Sequence, residues 1–332
     1  MALACHPNVP ALRIWALALV LSAVGFAFLE ALASASGYSS DVTDSLELWH
    51  YWRQQVYKQD GKVIAFLGSS RVMADMSLTT VRECLPGYDV VQLGVSGSKS
   101  PIGVLRDLAL DPRFKGTIIC ELDTPLLDHA RWSDLDDFIG YYPASRCVYY
   151  EKLARARVAD KVACLRHSLR ARIGRWLVPP QNRDRCFRMT FEREGQWDFL
   201  ACGDVDGLRR NTDSYRRQYA TCKFPRVVSM LKDVGAIDDT IRGLCSRGGH
   251  VIFVRAPSSM ERWTLEEQYF PQTKNWDRFA RAIRAPCIHF MDVPELRVFR
   301  CPDESHLDRR DSREFTRIFI QELTSRRVLE GS

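Results

Sequence analysis

Short apolar runs alternate with amphipathic segments along most of the chain. Apolar residues recur at helical spacing in segments 77–85, 100–110, 225–249 and about 311–327, which predicts helices. Between them lie five runs rich in β-branched and aromatic residues, which predict buried strands: 62–67, 88–93, 117–122, 250–254 and 287–292. Strands and helices in alternation are typical of a parallel sheet covered on both faces. We therefore expect a three-layer α/β fold with a mainly parallel sheet.

Two of these helices have distinct start signals. Ser77 stands where an N-cap residue is expected for segment 77–85. Ser100 followed by Pro101 predicts an N-cap and a first helical residue for segment 100–110.

The N-terminal segment has no polar face. From Ile14 to Leu29 there are sixteen residues without a charge, and "ALASA" after Glu30 makes the stretch long enough to cross a bilayer. Small residues at Ala31, Ala33 and Ala35 are also compatible with a cleaved signal peptide. We favour the uncleaved anchor, and in either case the remainder of the chain is exported.

The charges flanking this segment indicate its orientation. Arg13 precedes it, whereas Asp41, Asp44 and Glu47 follow it. Because positive residues stay on the cytoplasmic side, we expect a single pass through the cell (inner) membrane with the larger part on the periplasmic, extracytoplasmic side.

About one hundred residues interrupt the alternation. We expect an anchor or signal over 1–37, a linker helix over 38–61 and an α/β domain over 62–330, with an insertion at about 129–224. Within the insertion, the stretch "NRDRCFRMTFEREGQWDF" (182–199) is expected to be irregular.

The positive charge of the chain is concentrated in the insertion. Residues 145–188 hold twelve Lys and Arg against three Asp and Glu, while the rest of the chain carries a net charge of −3. A general nucleic-acid binder is therefore not expected. The helical spacing over 145–180 predicts either a basic amphipathic helix on anionic lipid or an acidic polymer, or an ordinary packed helix with a solvated face.

Eleven cysteines in an exported chain are compatible with disulfides, but the sequence does not define their pairing. The odd number leaves at least one thiol unpaired within the monomer, and Cys5 and Cys120 are candidates to stay free. Since no Cys or His cluster has zinc-site spacing, we expect no structural metal and no cofactor.

Polar residues follow the predicted strands where ligands bind in open α/β sheets, beyond the carboxyl ends of the strands. They are Gly68–Ser70 after the first strand, the glycines between Gly94 and Gly97 after the second, Asp123 and Thr124 after the third, and Asp303 and His306 before the last helix. A serine, a histidine and an acid at one edge of a sheet meet the needs of nucleophilic acyl transfer.

These blocks resemble those of the SGNH (GDSL-like) hydrolase superfamily. Gly68-Ser69-Ser70 matches its first block, Gly97 in "LGVSGSKS" matches its second, and the Asp-x-x-His of Asp303 and His306 matches its last. The resemblance implies that Ser70 is the nucleophile, His306 the base and Asp303 its partner. It also implies an oxyanion hole made by the backbone N–H groups of Ser70 and Gly97.

The sequence departs from the family pattern in two places. Ser69 replaces the usual aspartate, and the third block, normally Gly-x-Asn-Asp, is "CELDTPLL" here. Losing one oxyanion donor costs about 3–4 kcal/mol, so we expect Thr124 or a further backbone amide to take its place.

Arg71 is a candidate for binding a substrate carboxylate or phosphate, or a member of an ion pair. Asp123 is a candidate oxyanion-side residue, a cap, or the partner of Arg71.

The resemblance, the membrane segment and the insertion together imply an envelope serine acyltransferase or esterase acting on O-acyl, especially O-acetyl, groups of a polysaccharide. The expected partners are that polysaccharide and a multi-span membrane acyltransferase. The alternative is a non-catalytic SGNH-like scaffold or polysaccharide-binding protein whose site has decayed.

Overall fold

The chain forms a parallel five-stranded sheet in a computed structural model that describes residues 11–58, 60–166, 185–209 and 227–329. The strands are β1 (Val63–Leu67), β2 (Asp89–Gln92), β3 (Thr117–Glu121), β6 (His250–Arg255) and β7 (Cys287–His289). All neighbouring strands are parallel, in the order β2-β1-β3-β6-β7. The expected α/β class with a mainly parallel sheet is confirmed.

Helices lie on both faces of the sheet. The helices of the described residues are α1 (Ala11–Ala35), α2 (Leu46–Gln54), α3 (Ser70–Asp75), α4 (Leu78–Cys84), α5 (Ile102–Leu110), α6 (Asp136–Ile139), α7 (Arg146–Ala159), α8 (Val205–Arg209), α9 (Val227–Cys245), α10 (Met260–Tyr269), α11 (Trp276–Ala282) and α12 (Arg309–Ser325). Alternate strand residues point to opposite faces. Val63 and Ala65 therefore pack with α5, α9 and α11, whereas Ile64 and Phe66 pack with α3, α4 and α12.

The element boundaries largely follow the sequence signals. The Ser77 hydroxyl accepts from the Thr80 amide and caps α4, as expected. Helix α5 begins one residue later than expected, with Pro101 at the N-cap position. The Ser100 hydroxyl still accepts from the Ile102 amide at 3.4 Å, as a capping serine does, and it also donates to the Leu126 carbonyl. The last strand also ends early, at His289, and continues as a 3₁₀ turn.

Part of the insertion is a β-hairpin where an irregular segment was expected. Strands β4 (Phe187–Met189) and β5 (Gly195–Trp197) pair antiparallel. Cys186 and Cys202 form a disulfide that closes this hairpin at its base. Cys120 is a free, buried thiol, as expected, while Cys5 lies outside the described residues.

The basic part of the insertion is not one continuous helix. Helix α7 ends at Ala159, and a 3₁₀ turn follows at Ala163–Leu165. Lys152 of α7 forms an ion pair with Glu47 of α2, so this helix packs on the domain. The remainder of the predicted basic helix, residues 167–184, lies outside the described part of the chain.

Helix α1 is an apolar helix long enough to cross a membrane, as a membrane anchor or a signal sequence would be. Twelve of its large apolar side chains are exposed, and Ala33 is its one buried residue. Apolar surfaces of this extent mark sites of contact with a membrane or with another protein.

Candidate active site

A sharp turn brings the first candidate residue to the edge of the sheet. Strand β1 ends at Leu67, Gly68 turns the chain with φ of +146°, and α3 begins at Ser70. A Cβ atom on Gly68 would lie 2.7 Å from the Cβ atom of Glu121, on the neighbouring strand. Only glycine fits this turn, for reasons of both backbone conformation and space.

The two serines of the turn have different environments. The Ser69 amide and hydroxyl both donate to Glu121 Oε2, each at 2.9 Å, so that this serine holds the turn against β3. Burial, and then the nearby Asp123, raise the pKa of Glu121. Ser70, by contrast, lines a cavity. Ser69 therefore has a structural contact, and the hydroxyl that faces the cavity is that of Ser70.

Ser70, His306 and Asp303 form a hydrogen-bonded chain. His306 Nε2 lies 2.9 Å from Ser70 Oγ, and His306 Nδ1 lies 2.7 Å from Asp303 Oδ2. These are the contacts by which a histidine removes a hydroxyl proton while a carboxylate orients the ring. Residues 236 positions apart in the sequence meet at one rim of the sheet.

Asp303 is held in place by its own loop. Its second oxygen, Oδ1, accepts from the amides of Ser305 (3.0 Å) and His306 (2.8 Å). Burial by itself would raise the pKa of Asp303, but His306 and these amide bonds outweigh it and keep the pKa below its ordinary value. The carboxylate is consequently charged at neutral pH, as the partner of a protonated imidazole must be.

A buried carboxyl group connects the helix of Ser70 to the loop of His306. Asp75, at the end of the helix that begins with Ser70, accepts from the amide of Leu307 at 2.9 Å, next to His306. Burial raises the pKa of Asp75 well above its ordinary value, with only partial opposition from the Leu307 amide and Arg71. Sequence patterns did not indicate Asp75, since its partner lies 232 residues away.

The triad opens into a cavity of about 310 Å³, within the usual range for small-molecule sites. Ser70, Asp303 and His306 lie on one side. The other residues that line it are mainly apolar or small: Met73, Ser96, Gly97, Phe187, Met189, Gly195, Trp197, Leu208, Arg209, Glu304 and Ser305. Much of the wall therefore comes from the insertion.

Trp197 covers one face of the candidate base. Its ring stacks on the His306 imidazole, with centroids 5.3 Å apart and planes 21° from parallel. The Phe199 amide donates to Asp308 Oδ2 at 2.9 Å, which docks the hairpin beside α12. Sequence reasoning missed Trp197. The alternation of Phe187, Met189 and Phe191 was the signal that could have identified the strand.

The same hairpin also fixes the loop after β2, which contains Gly94 and Gly97. Arg193, fully buried, donates to the carbonyls of Gln92 and Gly94, both at 2.8 Å, and pairs with Asp44. Gly97 lines the cavity in the same loop as Gly94 and has φ of +102°. The loop with the expected oxyanion glycine thus lies beside Ser70.

Arg71 and Asp123 do not line the cavity that Ser70 and His306 line. Arg71 is 1% exposed and pairs with Asp123 (2.6 Å) and Glu266 (2.9 Å). Asp123 also pairs with Arg255 at 3.0 Å. Of the interpretations left open, the structural ion pair is the one found.

Thr124 begins the 3₁₀ turn Thr124–Leu127, and its side chain lies outside the described part of the chain. The described residues contain no cluster of three or more His, Cys, Asp or Glu side chains arranged for a metal ion.

Comparison of the chain with protein-family models, with curated proteins and with solved structures gives no match. The interpretation of the site consequently depends on its geometry.

Proposed function

We propose that the chain is an exported, membrane-anchored serine acyltransferase or esterase. The observation that carries this proposal is the hydrogen-bonded chain from Ser70 through His306 to Asp303, at the wall of a cavity large enough for a substrate. The resemblance of its sequence blocks to SGNH hydrolases adds the substrate class, O-acyl and especially O-acetyl groups of a cell-envelope polysaccharide.

The geometry supports a two-step reaction. Ser70 Oγ attacks the acyl carbonyl while its proton passes to His306 Nε2, and the donor alcohol leaves with that proton. A sugar hydroxyl or water then attacks the acyl-enzyme and gives its own proton to His306, which restores Ser70. Asp303 keeps the imidazole in the tautomer with hydrogen on Nδ1 and stabilises its charged form. The amides of Ser70 and Gly97 are the proposed donors to the oxyanion.

The proposed location is the extracytoplasmic face of the cell membrane, with α1 as the anchor. The disulfide between Cys186 and Cys202 supports export, because such bonds persist in oxidising compartments. A multi-span membrane acyltransferase is the proposed supplier or neighbour.

The test uses the full chain and a fluorophosphonate probe, together with p-nitrophenyl acetate. We expect labelling and ester cleavage in the wild type, loss of both in Ser70→Ala, and retention of both in Ser98→Ala, which changes an exposed serine of the neighbouring loop. Absence of labelling in the folded wild type would contradict the proposal and favour the non-catalytic scaffold.

A further inference from the structure

The end of helix α1 is bonded to the folded domain. The Glu30 carboxylate accepts from the amides of Ala163 and Cys164, both at 2.9 Å. These amides are at the start of the 3₁₀ turn Ala163–Leu165, where backbone donors lack partners within the turn. Ala33 packs against Tyr38 and Ala163. Removal of α1 as a signal peptide would break these contacts, so they favour a retained helix.

A buried arginine joins the exit of α1 to the cavity wall. Arg166 is 2% exposed. It donates through Nη1 to the Ser39 carbonyl at 3.1 Å and through Nη2 to the Phe187 carbonyl at 2.9 Å, and it pairs with Asp41 at 3.4 Å. Ser39 and Asp41 follow α1 directly, and Phe187 lines the cavity.

The segment after α1 also runs along the hairpin. The Met189 amide donates to Asp41 Oδ1 at 2.7 Å, and the Val42 amide donates to the Met189 carbonyl at 3.0 Å. Met189 lines the cavity with Ser70 and His306. Even when fully extended, the residues from Ala35 to Val42 span at most about 25 Å. The cavity wall is therefore held within that distance of the apolar helix.

The cavity wall suits an acyl chain. Apart from the triad, five of its larger side chains are hydrophobic, Met73, Phe187, Met189, Trp197 and Leu208, whereas Arg209 and Glu304 are charged. A wall with both hydrophobic and charged side chains near the bilayer favours an amphiphile that already resides in the membrane, because the chain of such a molecule can pass from lipid to cavity with little exposure to water.

We propose that the acyl donor is an ester carried by a membrane lipid, and that α1, through Glu30 and Arg166, holds the cavity at the bilayer surface to receive it. This inference rests on the proposed function, and it makes the transferred acyl group a lipid chain where the sequence resemblance by itself favoured acetyl. The donor ester bond breaks, a Ser70 ester forms, the lipid alcohol leaves with the proton from His306, and a sugar hydroxyl then accepts the acyl group. Glu30 and Arg166 are positioning residues that touch neither donor nor acceptor.

The experiment places the full chain in phosphatidylcholine vesicles and compares p-nitrophenyl laurate held in the bilayer with p-nitrophenyl acetate in solution. The detached variant combines Glu30→Ala with a Gly/Ser insertion of about twelve residues between Ser36 and Gly37, which adds a mean reach of about 17–21 Å. The matched control carries the same insertion between Gly87 and Tyr88, at the opposite edge of the sheet, before β2.

We expect the detached variant to lose about tenfold in the rate with the bilayer ester while its rate with the soluble ester changes by less than about twofold. The control insertion should change neither rate by more than that. An unchanged rate with the bilayer ester would overturn the inference, as would a wild type that cleaves the soluble ester and not the bilayer one. A folded wild type that cleaves neither ester and takes no label at Ser70 would instead defeat the proposed function, and this inference with it.

Discussion

Replacing Asp303 by asparagine tests the proposed mechanism at one atom. Asp303 Oδ1 accepts from two backbone amides, and Oδ2 contacts His306 Nδ1. In Asp303→Asn the side-chain oxygen must keep the place of Oδ1, where it accepts from the amides of Ser305 and His306. An NH₂ group in that place would set donor against donor. The new NH₂ then points at Nδ1 and forces that nitrogen to act as the acceptor. The imidazole hydrogen moves to Nε2, which can no longer accept the Ser70 proton.

The expected loss in kcat follows from this wrong tautomer. In Ser-His-Asp hydrolases the same substitution lowers kcat by about 10⁴, which corresponds to about 5.5 kcal/mol of transition-state stabilisation. Steady-state hydrolysis of p-nitrophenyl acetate measures it, and Asp137→Asn, which changes an exposed aspartate of α6, serves as the control.

The stability of the variant separates a chemical effect from a structural one. Asparagine has nearly the volume of aspartate, so a thermal unfolding midpoint close to the wild-type value is required for the interpretation. A folded Asp303→Asn enzyme with more than about a tenth of the wild-type kcat would refute the role of Asp303 as the partner of His306.

Three further predictions concern stability. Replacing Cys186 and Cys202 by serine opens a loop of 16 residues and should lower the free energy of unfolding by about 3 kcal/mol, measured in urea; a value equal to that of the oxidised wild type would contradict the disulfide. Burial raises the pKa of Asp75 in the folded state, so wild-type stability falls as the pH rises above the unfolded pKa of about 3.9. The variant Asp75→Asn cannot lose stability in this way, so its free energy of unfolding relative to that of the wild type should grow between about pH 4 and pH 7 in denaturant titrations. If the difference between the two free energies does not change with pH, the Asp75 carboxyl does not titrate as argued. Gly68→Ala places a methyl group 2.7 Å from Glu121 Cβ and should cost about 1–3 kcal/mol in calorimetry, whereas an unchanged midpoint would mean that the turn can relax.

Local sequence signals predicted most of the sheet. The five strands appeared as apolar runs because a strand buried on both faces needs hydrophobic residues at every position. The Ser77 cap was predictable for a similar reason, since its hydroxyl accepts from an amide three residues away. The start of α5 was predicted to within one residue, whereas the second bond of the Ser100 hydroxyl, to the Leu126 carbonyl 26 residues away, was not predictable.

The sequence also predicted which residues of the candidate site would lie near one another. Ser70 and His306 are far apart in the chain. Ser70 follows β1 and His306 precedes α12, and both of these positions lie at the carboxyl edge of the parallel sheet. Topology therefore brings them to one place. Whether they perform catalysis remains a prediction.

What the sequence determined by itself was periodicity, capping and the edge of the sheet at which the polar residues collect, since these depend on neighbours a few positions away. The tertiary structure decided the hairpin over the site, the stacking of Trp197 on His306, the pairing of Arg71 with Glu266 and the bonds of Arg166 to the cavity wall. These contacts depend on how the insertion and the later helices fold back on the sheet. No short-range pattern encodes a partner 195 residues away, as in the pair formed by Arg71 and Glu266.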